Sequence, residues 1–117
     1  MDKELIDFVA ERAEILATTP TSKKDTQEAA IAWKDAIAAG EDADAATVKL
    51  LDFLEGRMLG IDDLIAFVEA AGASVFGEER AAAMLVAQKE RKAQGEKYCN
   101  CDAHAAAEAL LTKFGRI

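Results

Sequence analysis

Leu5, Val9, Ala13 and Leu16 recur at intervals of three and four, with Ile6 and Phe8 beside them. That spacing lines one face of an α-helix. It predicts a helix over residues 3–17, stopped at Thr18-Thr19-Pro20-Thr21 because a proline disfavours the α conformation in the residue before it. Thr21 or Ser22 is placed to cap a second helix running to about Ala39, with Ala29, Ala30, Trp33, Ala36 and Ile37 inward and Gly40 as the stop. Trp33, the single tryptophan, reads as a core anchor.

Asp42 and Asp44 stand before a third predicted helix, residues 45–55, where negative charge favours an N-terminus. Its inward face is read as Val48, Leu51 and Leu54. After Gly60, Ile61 followed by Asp62 reads as an apolar residue beside an N-cap, with Leu64, Phe67, Val68 and Ala71 buried. Gly72 and Gly77 bracket Ala73-Ser74-Val75-Phe76, where a bend or broken turn is expected, with Phe76 plugging the core. A fifth helix, residues 78–94, has Glu78 and Glu79 at its start and Lys89, Arg91 and Lys92 near its end, an order that complements the helix dipole. Ala81, Met84, Leu85 and Gln88 mark one of its faces. The last predicted helix, residues 102–114, buries Ala103, Ala107, Leu110 and Phe114.

These patterns predict an all-α fold: a single domain over residues 1–117, a bundle of five or six helices with short connections that favour antiparallel neighbours. Three similar segments begin at Leu5, Leu50 and Leu64, but they share no constant period, so no repeat array is expected. Alanine supplies much of the apolar content, which lets helices approach closely. No apolar run approaches the roughly 20 residues a membrane span needs, and Met1-Asp2-Lys3-Glu4 is too acidic for a secretory leader. The chain is therefore expected in the cytoplasm.

Charge narrows the partners. Residues 1–79 carry 18 acids against 7 bases, while residues 80–117 carry 4 against 7, within a net charge of −8. An acidic body repels phosphate backbones, so no nucleic acid is expected as a partner. Association with a protein partner or a second copy of the chain stays open. The basic end of the fifth helix reads as a solvated face.

Candidate chemistry is confined to Tyr98-Cys99-Asn100-Cys101-Asp102-Ala103-His104, which holds both cysteines and the only histidine. Asp102 reads as the N-cap of the last helix, which places Cys99 and Cys101 in the entering loop and His104 in the first turn. Positive potential there favours thiolates and disfavours imidazolium. Thiolates and neutral imidazole are the forms that bind zinc or iron. Chelation by Cys-x-Cys requires a turn at Asn100, and a structural zinc site requires a fourth ligand: Asp102, Glu96, water or a second chain.

Cys99, Cys101 and His104 are thus the candidate metal ligands of a non-enzymatic metal-binding protein. A thiol–disulfide switch at the two cysteines is the first alternative, and a plain interaction module with incidental cysteines is another. A Cys101–His104 nucleophile–base pair is the weakest, because no group to orient the imidazole is evident. The segment lacks the Cys-x-x-Cys-His order of haem attachment.

Lys97-Tyr98-Cys99-Asn100-Cys101-Asp102, with the alanine-rich helix ending Lys113-Phe114-Gly115, resembles a group of small bacterial helical proteins. The likeness extends over most of the chain, including Ala32-Trp33-Lys34 and Phe76-Gly77-Glu78-Glu79. Members carry Lys-Tyr-Cys-x-Cys, often with a third cysteine where His104 stands here. Some bear the name of the ninety-kilodalton heat-shock chaperone, although this chain has no Gly-rich lid like that chaperone's ATPase. The resemblance implies that His104 replaces a cysteine as a metal ligand.

Overall fold

A computed structural model describes residues 1–117 and is all-α, with six helices and no strands. They are α1 (Lys3–Thr18), α2 (Lys24–Ala38), α3 (Ala43–Glu55), α4, α5 (Glu78–Ala93) and α6 (Asp102–Lys113). Helix α4 runs continuously over residues 61–76, as Ile61–Phe67, a π turn at Val68–Gly72 and a last turn at Ala73–Phe76. No helix is long and apolar enough to cross a membrane. The chain divides into two compact units, one formed by Met1–Met58 with Asn100–Ile117 and the other by Leu59–Cys99.

In the first unit, α1 packs on α2 and α6, and α3 packs on α2 and α6, closing a circuit of four helices. The predicted stripe of α1 holds, since Val9, Ala13 and Leu16 are fully buried. They meet Ala30 and Trp33 of α2, Leu50, Leu51 and Leu54 of α3, and Ala103, Ala106, Ala107, Leu110 and Leu111 of α6. Asp2 caps α1 by accepting from the Leu5 N–H, and Thr19, just before Pro20, is extended, which ends the helix.

Helix α3 begins two residues before its expected start, with Asp42 accepting from the Asp44 N–H. Its inward face is rotated from the expected one: Thr47 and Leu50 are buried with Leu51 and Leu54, while Val48 is 47% exposed. The reason is Trp33, whose Nε1–H donates to Thr47 Oγ1 at 3.0 Å inside the core. A buried indole N–H without an acceptor would cost about 1–3 kcal/mol, so the tryptophan draws in the threonine rather than its apolar neighbour.

The second unit is built on α4 and α5. Ile61, Leu64, Ile65 and Val68 of α4 are buried, as are Ala81 and Gln88 of α5. Residues 73–76 do not break the helix as expected; the irregularity is the π turn at Val68–Gly72 just before them. Gly72 is needed at close approach, because a Cβ there would lie 2.8 Å from Val68 Cγ1 and 3.2 Å from Ala81 Cβ. Phe67 is half-exposed rather than buried, and Phe76 packs edge-on against it at 6.4 Å instead of plugging a core. The chain leaves α4 at Gly77, whose φ of 88° suits glycine.

Candidate metal centre

Two backbone frameworks fix the cysteine segment. Ahead of it, Gly60 and Tyr98 form an isolated antiparallel bridge. The Ile61 N–H donates to the Lys97 carbonyl at 2.8 Å, and the Cys99 N–H to the Leu59 carbonyl at 2.9 Å. Arg91 Nη1 adds a bond to the Tyr98 carbonyl at 3.0 Å. These bonds hold residues 97–99 extended, and Cys99 is buried.

The entry to α6 differs from the expected one. Cys101, not Asp102, is the N-cap residue, with φ −61° and ψ 160°, and its side chain makes no capping bond. Asp102 lies inside the first turn, since the Ala105 N–H already bonds the Cys101 carbonyl at 2.8 Å. What replaces the cap is Thr21: its Oγ1 accepts from the Ala103 N–H at 3.0 Å. Thr21 therefore does not cap its own helix. Helix α2 begins after Lys23 with no side-chain cap.

His104 consequently occupies the third helical position, one turn beyond Cys101. That spacing is the one at which a cap residue and the third helical side chain reach each other in a capping box. Here the partners are sulfur and imidazole: Cys101 Sγ and His104 Nδ1 lie 3.1 Å apart. The other ring nitrogen, Nε2, is 3.2 Å from the Arg57 carbonyl oxygen. A carbonyl can only accept, so Nε2 carries the proton and the Nδ1 lone pair faces the sulfur. The group that orients the imidazole, not evident in the sequence, is this backbone carbonyl.

His104 is held below its ordinary pKa of 6.5, first by burial and then by the nearby Lys23 ammonium; the Arg57 carbonyl acts in the opposite direction. The neutral imidazole expected from the sequence is favoured, mainly by burial. Arg57 itself is ion-paired with Asp25 and stacks over Phe53 with its guanidinium carbon 4.8 Å from the ring centroid.

Cys99 and Cys101 are separated by one residue, so their thiols are near each other by covalent reach, and the chain bends at Cys101. Cys99 Sγ, Cys101 Sγ and one nitrogen of His104 all lie within 4.8 Å of one another, close enough to hold a metal ion. No disulfide joins the cysteines. A tetrahedral zinc ion would set the three atoms about 3.5–3.8 Å apart, widening the 3.1 Å contact between Cys101 Sγ and His104 Nδ1 and closing the widest separation by at most about 1 Å. Of the fourth ligands considered, Asp102 is exposed and Glu96 pairs with Arg91 at 3.7 Å; neither belongs to the converging group.

Sequence reasoning named the three converging residues but missed Thr21, the Arg57 carbonyl and Lys23 as their surroundings. A hydroxyl 82 residues from its partner and a backbone oxygen leave no local pattern to read. Compared with known proteins, the chain matches no family model, no curated protein and no solved structure.

Proposed function

We propose that this is a metal-binding helical protein that takes one zinc or ferrous ion through Cys99 Sγ, Cys101 Sγ and His104 Nδ1. The observation that carries the reading is the convergence of both sulfurs and one imidazole nitrogen within 4.8 Å, with Nδ1 the nitrogen 3.1 Å from Cys101 Sγ. The orientation of His104 supports it. A metal-ligating histidine commonly donates its other N–H to a carbonyl, which fixes the tautomer and the ring plane, and the Arg57 carbonyl stands in that role. Two sulfurs and an imidazole suit zinc and iron(II) better than calcium or magnesium, which prefer oxygen. The resemblance to bacterial proteins with a third cysteine at position 104 agrees with the same donor set.

Elemental analysis of protein purified under reducing conditions tests the reading. The expected result is close to one zinc or iron per chain, lost in Cys101→Ser and reduced in His104→Gln. Folded protein that contains no metal and takes none up on titration would sink it. The proximity of Cys99 and Cys101 gives the thiol–disulfide switch its own footing. That reading expects a metal-free protein whose two thiols disappear together on mild oxidation.

A further inference from the structure

We propose that the metal held by Cys99, Cys101 and His104 keeps one coordination position open to solution, and that this position takes an exogenous anionic donor. The inference rests on the metal-binding reading above and specifies what the site does with its fourth corner. A tetrahedral ion with three protein donors has one corner left, the arrangement that separates reactive zinc sites from closed structural ones. The carboxylates nearest in sequence do not fill it: Asp102 points to solvent in the first turn of α6, and Glu96 pairs with Arg91. Asp25, on the helix whose N-cap is Lys23, is taken by Arg57. Cys101 and His104 are only half-buried, so a small ligand has access to them.

Charge then selects the ligand. Two thiolates and a neutral imidazole cancel the charge of a divalent ion, leaving the loaded centre neutral. Asp102 brings one exposed carboxylate to the same turn, and against it stand two positive contributions. The Lys23 ammonium acts on His104, and the N-terminus of the twelve-residue helix α6 adds its partial positive charge. A neutral centre in a positive field favours an anion over water. Binding is a ligand exchange: the anion donates a lone pair as water leaves, with no oxidation and no bond broken within the chain. The shared chemistry is a monoanionic donor, supplied either as a thiolate or as a small oxygen or nitrogen anion.

The experiment loads the full, reduced chain with cobalt(II), whose visible bands report the coordination sphere and whose sulfur-to-cobalt band grows with the number of thiolates. Azide is titrated in one arm and 2-mercaptoethanol in the other. Azide is expected to shift the visible bands saturably, one per metal, with the sulfur band retained. The thiol, passing its proton to the buffer as it binds as thiolate, should raise the sulfur band by about one half, as two bound thiolates become three. A response to azide alone supports the open position and identifies the small anion as its ligand. Cobalt bound with bands indifferent to both additions overturns the open position and leaves metal binding standing. Failure to bind cobalt overturns the metal-binding reading itself. Lys23→Gln, an exposed change, compared with the wild type at equal cobalt occupancy, should weaken azide binding several-fold; equal azide affinity would remove the role given to the local positive field.

Discussion

The two units bury their apolar residues to different depths. In the four-helix unit, Val9, Ala13, Leu16, Ala30, Leu110 and Leu111 are at 0% exposure, whereas in the unit Leu59–Cys99 the buried apolar residues lie between 3% and 8%. The first unit draws its core from both ends of the chain; the second is one continuous stretch of about forty residues, near the lower limit at which a single core suffices. In place of depth, the smaller unit has close backbone geometry: a π turn, a glycine where two helices approach, and the paired segments at Gly60 and Tyr98. Depth of burial sets resistance to unfolding. Backbone geometry of this kind sets local shape, at a lower opening free energy.

The largest effect should come from the deep core. Leu16→Ala removes a fully buried side chain and is expected to cost about 2–5 kcal/mol, read as a drop in the urea midpoint. A cost under about 1 kcal/mol would erase the contrast between the units.

Gly72→Ala probes the shallower unit. Its new methyl group meets Val68 and Ala81 too closely, so a loss of about 1–3 kcal/mol is expected. Amide exchange should quicken within residues 59–99 while the amides of α1 and α6 keep their protection. Equal acceleration in both places would mean that the two units open together, as the single-domain expectation has it.

Thr21→Ala comes next. Losing the acceptor for the Ala103 N–H should destabilise the four-helix unit by about 1 kcal/mol and weaken zinc binding, with Thr21→Ser retaining both. Unchanged zinc affinity in the alanine variant would separate the cap from the metal centre.

The smallest effect is expected from acid. Because burial lowers the His104 pKa below 6.5, the unfolded chain binds more protons than the folded one between that lowered value and 6.5. The contribution of His104 is therefore fully present above pH 6.5 and is lost as pH falls through its folded pKa. In metal-free protein, the wild type should lose more stability than His104→Gln as pH falls below 6.5; parallel curves would contradict this.

The all-α class and most helix limits were legible because periodic apolar spacing reports burial directly. Val9, Ala13 and Leu16 show it. Faces set by a polar contact were not legible: Thr47 displaced Val48 from the core because Trp33 needed an acceptor, and no periodicity reveals that need. Phe67 was read as buried from its size and spacing, yet the buried stripe is Ile61, Leu64, Ile65 and Val68, at ordinary helical intervals that leave position 67 off the face, and the ring stays half-exposed. At the candidate centre the donors were legible, being the only thiols and the only imidazole in the chain. Asp102 looked like the cap because it is the best capping residue nearby; a threonine from elsewhere took the role, and the cap position itself fell to Cys101.

That displaced cap bears on anyone who would transplant the segment. Cysteine is a poor residue with which to begin a helix, and here it holds that place because a hydroxyl from the loop before α2 satisfies the backbone in its stead. The seven residues from Tyr98 to His104 are therefore not a portable cassette. Grafted onto another helix without a hydroxyl positioned like that of Thr21, they would be expected to fray, and the sulfur and imidazole would drift apart before any ion arrived. A designer would have to carry over two pieces of chain far apart in sequence, or supply a new acceptor for the second amide of the host helix.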